Sequence, residues 1–334
     1  MTEVEVAIKA AITQKVVLAF NENPEPVAEA VKSGIRSGVD AINRYPFATE
    51  ERVMQKLAHH FKCPEDNLML VRGIDECFDR ISAEFPHMRY AIVQPGFDGY
   101  AGRINVHRLA RYDVRLNPDF SLNLHDLAQI SGNDFVFLAN PSNPTGKALT
   151  PFETRLITRQ AGKVLIDETY VDYSEASQQP LAFGGNKLVF RSFSKSYGLA
   201  GLRLGVVFAE ANLITAMKAK QWFCNVGVLD LCALEAALEH DQARQNHVAN
   251  IRSERSRVTQ ALREMGYAAA PSEANFVLVP DPANKALRFL ASRGVQVKDT
   301  RQFGLADHMR ISIGLPEHND LLLTLLAEFA TPLN

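Results

Sequence analysis

The chain has 334 residues, 46% hydrophobic and 22% charged, with a formal net charge of −2. That composition suits an ordinary globular protein with a sizeable core, and it lacks the basic footprint of a nucleic-acid binder or of a protein held electrostatically to an anionic membrane. No apolar run approaches the ~20 residues of a membrane helix and no charged-then-apolar leader is visible, so a cytoplasmic protein without nucleic-acid or membrane partners is expected.

In chain order, the N-terminal MTEVEVAIKAAITQK leads into the first of a series of short apolar runs. These are 16–20 (VVLAF), 67–71 (NLMLV), 90–94 (YAIVQ), 135–139 (FVFLA), 163–167 (KVLID), 187–192 (KLVFRS) and 204–208 (LGVVF). Most are continuous rather than alternating, the pattern of strands covered on both faces. Helix signals lie between several of them. At Thr150-Pro151-Phe152-Glu153 an N-cap, a proline at the first helical position and a glutamate at the third coincide. Strands alternating with helices predict an α/β fold with a mostly parallel sheet. Residues 227–265 read as one long helical region ending at Gly266. A smaller α+β unit follows, with strands at 274–279, 294–298 and 309–314, a helix over 284–293 and a terminal helix. The boundary is placed near 225–240.

Cys63, Cys77, Cys224 and Cys232 form no C-x-x-C pair and have no zinc-ligand spacing, which reads as free thiols in a reducing compartment. His59-His60 lacks a third ligand, so no metal site is expected. No G-x-S-x-G elbow or P-loop is present, and Gly198, Gly201 and Gly205 do not have dinucleotide spacing.

In an open α/β sheet, ligands bind beyond the carboxyl ends of the strands. Five runs here end in polar or glycine-rich signatures: Arg72-Gly73-Ile74-Asp75, Pro95-Gly96-Phe97, Asn140 to Gly146, Asp167 to Tyr170, and Ser192 to Lys195. Backbone N–H groups at Gly73, Ile74 and Asp75 open a helix and suit a phosphate. Ser192 and Ser194 add hydroxyls, and Arg203 adds a bidentate cation. Asp167 at a strand end needs a positive partner or protonation. Phe97 offers an aromatic face. Lys195 is the only lysine in the set, and a lysine near cationic or apolar neighbours loses its proton more readily and can form a Schiff base. Phosphate, aromatic ring, ring nitrogen and aldehyde together describe pyridoxal phosphate.

The motifs NRYP (43–46), RGIDE (72–76), PGFDGY (95–100), NPSNPTG (140–146), DETY (167–170), SFSKSYGLAGLRLG (192–205), FCNVG (223–227), ANFVLV (274–279) and RISIG (310–314) occur in one order along nearly the whole chain. In this ordered set the chain resembles the fold-type I pyridoxal-phosphate aminotransferases, and within them the histidinol-phosphate aminotransferase family. The resemblance implies a large cofactor-binding domain over 43–230, a small C-terminal domain over 231–334, and an N-terminal arm over 1–42 that belongs with the small domain. It implies that Lys195 binds the cofactor aldehyde and moves the substrate proton, and that Asp167 pairs with the ring nitrogen. Asn143 and Tyr170 would bond the ring oxygen, and Phe97 would stack on the ring. Gly73, Ile74, Asp75, Ser192, Ser194 and Arg203 would hold the phosphate. Tyr45 would reach the cofactor phosphate of a partner subunit in a homodimer. Arg310 would bind a substrate carboxylate by two prongs, and Asn21 and Lys298 would also serve the substrate. The small-molecule partners implied are an amino donor, with histidinol phosphate as one candidate, and the 2-oxoglutarate/glutamate pair.

Two departures concern the substrate. Lys298 in GVQVKDTRQFG stands where the family usually has an arginine for the substrate phosphate, with Arg301 the nearest fork-bearing residue. MTEVEVAIKAAITQK contains no aromatic-proline segment of the kind the family closes over its substrate. A decarboxylase of the threonine-phosphate type shares these motifs and is the alternative. A non-catalytic sensor of this fold is a second, for which the basic DNA-binding domain is missing from this sequence.

Overall fold

The continuous apolar runs form strands, and their neighbours in space explain why they are apolar throughout. A computed structural model describes residues 15–174 and 185–330. The N-terminal segment noted above therefore lies, for residues 1–14, outside the described residues.

Seven strands make the large sheet: β2 (Leu68–Val71), β3 (Arg89–Gln94), β4 (Arg111–Arg115), β5 (Asp134–Ala139), β6 (Lys163–Asp167), β7 (Lys187–Ser192) and β8 (Gly205–Phe208), in the order β2-β8-β7-β6-β5-β3-β4. Only β8 runs antiparallel to its neighbours. Side chains alternate between two buried layers. On β6, Val164 and Ile166 join one apolar cluster and Leu165 joins the other. Burial on both faces is what makes these strands uniformly apolar. β4 went unread in the sequence because it is an edge strand, RYDVR, with Val114 as its one fully buried residue.

The helices α1 (Glu29–Ser37), α2 (Phe47–His60), α3 (Gly73–Glu84), α4 (Asp98–Val106), α5 (Pro151–Gln160) and α6 (Ala211–Lys218) connect or flank these strands. The predicted capping box opens α5: Glu153 N–H donates to Thr150 Oγ1 at 3.2 Å, and Thr150 N–H donates to Glu153 Oε2 at 2.8 Å. Such a cap contributes about 1 kcal/mol.

The long helical region expected over 227–265 is two helices, α7 (Val228–Glu239) and α8 (Gln242–Glu264). The break is at His240, whose φ of −113° and ψ of 45° are not helical. Asp241 then accepts from the side chains of Arg244 at 2.5 and 2.7 Å and Gln245 at 2.9 Å. A carboxylate serving the first turn of α8 is a start signal that the apolar periodicity hides.

A second sheet, order β1-β10-β11-β9, comprises β1 (Val16–Leu18), β9 (Phe276–Pro280), β10 (Val295–Asp299) and β11 (His308–Ser312). It packs with α8, α9 (Lys285–Ser292) and α10 (Pro316–Ala330) around a separate apolar cluster. Among the described residues no helix is long and apolar enough to cross a membrane.

Candidate active site

Strands β2, β3, β5, β6 and β7 point the same way, so the segments following them meet at one edge of the large sheet. A cavity of about 400 Å³ lies there. Gly73, Ile74, Phe97, Asn143, Asp167, Tyr170, Ser192, Ser194, Lys195 and Arg203 all line it. Asp75, Asn21, Arg310 and Lys298 stand outside this lining, and Tyr45 is elsewhere on the surface.

At one end, Gly73 opens α3 with φ +71°, a left-handed conformation that favours glycine. A Cβ there would come within 3.1 Å of Arg203 Nη2. Arg203, itself left-handed at φ +57°, places Nη2 3.6 Å from Asp75 Oδ2. Ser192 Oγ accepts from Ser194 N–H at 3.1 Å. A helix N-terminus, a guanidinium and two serines thus converge around a backbone with no Cβ in the way, which is a cradle for a phosphate.

Asp167 ends β6 and is only 7% exposed. Its Oδ1 accepts from Thr169 N–H at 3.0 Å and from Thr169 Oγ1 at 2.6 Å, and its Oδ2 accepts from Tyr100 O–H at 2.5 Å. Burial raises its pKa, against the pull of these donors and of Lys195. Reasoning from sequence missed Tyr100 and Thr169. The signals were present: Thr169 stands two residues after an aspartate, the spacing of an Asx turn, and Tyr100 stands three residues after Phe97 across the start of a helix. Gly99 between them leaves room for the Phe97 ring, which a Cβ there, 2.3 Å from Phe97 Cε1, would force to shift.

Lys195 follows β7 and is half-buried, with Nζ donating to Phe20 C=O at 2.9 Å. Burial, then the charges of Arg310 and Arg203, lower its pKa to about 8, against Glu22 and Asp167. Flanking ties hold its segment. Ser196 bonds the Asp172 carboxylate, and Arg191 Nε donates to the buried Glu168 at 2.6 Å, joining β7 to the residue after Asp167.

A second set of polar residues meets this edge from the small sheet. Arg310, 4% exposed, donates from Nη1 to Asn143 Oδ1 and from Nη2 to Ala19 C=O, the latter at 2.7 Å. Its guanidinium lies over Phe276 at 5.2 Å and Phe303 at 5.6 Å, and burial lowers its pKa. Asn21, 1% exposed, donates from Nδ2 to Tyr170 Oη at 3.1 Å, and its Oδ1 accepts from Ser312 Oγ at 2.7 Å. Lys298 is in register with Arg310 across β10 and β11, with Nζ 5.6 Å from the Phe303 ring. Arg301 is turned to its neighbour Asp299, Nε to Oδ2 at 2.8 Å. Tyr45 is 69% exposed and packs on Phe223 at 5.3 Å and Phe47 at 6.0 Å between ring centroids. No group of three or more metal-ligating side chains occurs among the described residues.

A phosphate cradle, an aromatic wall at Phe97, a buried carboxylate and an amine of lowered pKa in one cavity fit pyridoxal phosphate in each of its parts. Fold and site together define a pyridoxal-phosphate-dependent transferase of mixed α/β architecture. The family model for aminotransferase class I and II matches residues 13–326. The chain belongs to that family and is a pyridoxal-phosphate-dependent aminotransferase. It is 35% identical over 322 residues to the histidinol-phosphate aminotransferase of Methylibium petroleiphilum, covering 91% of this chain and 86% of that protein. A crystal structure from Burkholderia pseudomallei K96243, assigned provisionally as an aminotransferase, is 60% identical with a TM-score of 0.93 over 95% of this chain and 99% of that one. The histidinol-phosphate aminotransferase of Sinorhizobium meliloti, solved with pyridoxal 5′-phosphate, shares the fold at 22% identity and a TM-score of 0.84, covering 97% and 94%.

Proposed function

We propose that the enzyme transfers an amino group from histidinol phosphate, or an amine of similar shape and charge, to 2-oxoglutarate. The observation that carries this reading is the pair Arg310 and Lys298, in register on adjacent strands and sharing Phe303. Two cations at the substrate side suit the carboxylates of glutamate and 2-oxoglutarate and the phosphate of the other substrate. Curated relatives with the histidinol-phosphate aminotransferase name at 35% and 30% identity support the same reading. Their aminotransferase names also favour transamination over decarboxylation.

When bound, the cofactor supplies an aldehyde that condenses with an amine and a protonated ring that withdraws electrons. The protein's part is binding, orientation and proton handling. Lys195 Nζ, with its lowered pKa, is the nucleophile for the aldehyde and the base for the substrate α-proton. Asp167 keeps the ring nitrogen protonated, and Phe97 stacks on the ring. Gly73, Ile74, Asp75, Ser192, Ser194 and Arg203 hold the phosphate. Asn143 and Tyr170 face the ring oxygen while bonded to Arg310 and Asn21, which ties the cofactor side to the substrate side. Each outer nitrogen of Arg310 gives one N–H to Asn143 or Ala19 and keeps a second, and its buried Nε has no partner among the described residues, so donors remain for a substrate carboxylate.

The proposed division gives the large sheet with its helices to the cofactor domain over 43–230 and the small sheet to the domain over 231–334; of the arm over 1–42, β1 joins the small sheet, whereas α1 packs against α7 with Val31 in the large-sheet core. A homodimer is part of the reading. Tyr45, Phe47, Trp222 and Phe223 are each at least 59% exposed, an aromatic patch that a second copy would cover, carrying Tyr45 to the partner's cofactor phosphate. A cytoplasmic enzyme is part of the reading too.

The test is a screen of amino donors against 2-oxoglutarate, including histidinol phosphate, phenylalanine and tyrosine, with sedimentation to determine the oligomer. Turnover with histidinol phosphate by a species of twice the chain mass is expected. Inert histidinol phosphate with active aromatic amino acids would overturn the substrate assignment, and a stable, active monomer the assembly.

A further inference from the structure

An ionised carboxylate offers about four acceptor sites. Asp167 has three of them occupied, two on Oδ1 by Thr169 and one on Oδ2 by Tyr100. The remaining site is on Oδ2, the oxygen that Tyr100 already engages. Tyr100 has no freedom to leave it. It is 3% exposed, meets Phe97 edge-on at 5.4 Å, and lies against Phe137 at 5.3 Å. Burial and the nearby Asp167 charge raise its own pKa well above the ordinary phenol value, so it stays protonated and can only donate.

Building on the proposed pairing of Asp167 with the ring nitrogen, we infer that Tyr100 is a positioning residue for catalysis. It holds Asp167 ionised and orients Oδ2 so that its free acceptor takes the cofactor ring N–H. The physical reason is a competition for one proton. Asp167 is buried, and burial alone favours its neutral acid. A phenol donating to the carboxylate lowers its basicity, as a charge-assisted hydrogen bond does. Without that donor the carboxylate becomes the better base, the shared proton moves toward Asp167, and the ring loses the positive charge that makes it an electron sink. Thr169 cannot substitute, because both its donors are spent on Oδ1.

The experiment uses the holoenzyme loaded with cofactor labelled with ¹⁵N in the ring. In Tyr100→Phe the ring-nitrogen resonance is expected to move toward that of an unprotonated pyridine. The pH midpoint of the yellow band of the lysine-bound cofactor is expected to rise, because a neutral ring withdraws less charge from the linkage. Its kcat should fall about tenfold with KM changed by less than about twofold, the signature of an interaction that matters in the transition state. Replacing Tyr100 by 3-fluorotyrosine, a more acidic donor of nearly the same size, should move the midpoint the other way, and this arm does not depend on the Phe variant folding. Wild-type titration and resonance in both variants, with Asp167→Asn shifting both, would overturn the role of Tyr100. An Asp167→Asn holoenzyme that moves neither would remove the pairing beneath it, and the inference with it.

Discussion

The two sides of the active site are built in different ways. On the cofactor side, each group follows directly on a strand of one sheet: Gly73 after β2, Phe97 after β3, Asn143 after β5, Asp167 at the end of β6, and Lys195 after β7. Sheet pairing alone brings them to one edge. On the proposed substrate side, Arg310, Asn21 and Lys298 come from β11, the segment after β1 and β10; Arg310 is held by Asn143 and Ala19 and Asn21 by Tyr170 and Ser312, while Lys298 is set by its strand register with Arg310. The first side is positioned by backbone. The second is positioned by buried side-chain hydrogen bonds that cross between the two sheets, which makes it the side where one substitution reaches furthest through its neighbours.

The strongest test of this contrast is Lys195→Ala. It removes the only amine among the described residues lining the cavity, and activity should fall by roughly 10⁴-fold while the far-ultraviolet circular dichroism of the protein is kept. The purified variant should also stay colourless when pyridoxal phosphate is added. Next is Asp167→Ala, for which kcat should fall by about 10²–10³, the usual effect of losing one preorganised electrostatic partner. Steady-state assays with the cofactor saturating would check it. If either variant kept near-normal turnover, the backbone-positioned side would not be the chemical side.

Two effects of about tenfold sharpen the picture. Gly73→Ala adds a Cβ at φ +71° facing Arg203, a conformation costing an L-residue about 1–2 kcal/mol. Cofactor affinity should weaken by about tenfold in a fluorescence titration, with the substrate KM little changed. The second concerns pH. The Lys195 amine titrates near 8 in the cofactor-free protein, so lowering pH through that value converts it to the unreactive ammonium. Between pH 7 and pH 9 its free fraction rises about tenfold, and the rate of cofactor capture should rise with it and then level off. A flat profile across that window would show that the amine is not desolvated as its burial indicates.

The same contrast explains what could be read from the sequence. Apolar runs followed by glycine, asparagine, aspartate or lysine mark strand ends, so Lys195, Asp167, Phe97 and Gly73 were recognisable, and the structure gathers them around one cavity. Tyr100 was hidden because an aromatic residue inside a helix looks like core, and it is core except at its hydroxyl. The helix break at His240 was hidden because it lies in a stretch whose apolar character stays helical on both sides. The bonds of Asn21 to Tyr170 and Ser312 span sequence separations of 149 and 291, and no local pattern encodes a partner at that distance.

Lys298 is the smallest effect and the one that best separates the two sides. It pairs with Arg310 in register, yet Arg310 is held by two hydrogen bonds and two aromatic faces, whereas Lys298 has a single aromatic neighbour at 5.6 Å. A lysine is a point charge on a flexible stem, so it should assist a substrate phosphate without fixing its orientation. Lys298→Ala should raise the KM for histidinol phosphate by a few-fold and leave that for glutamate nearly unchanged, because only the phosphate loses a cation. Lys298→Arg supplies a fork that matches phosphate geometry, and it should lower the same KM. Parallel kinetics with both donors would check this, and equal changes for the two substrates would mean that the charge acts on the whole cavity and not on one group.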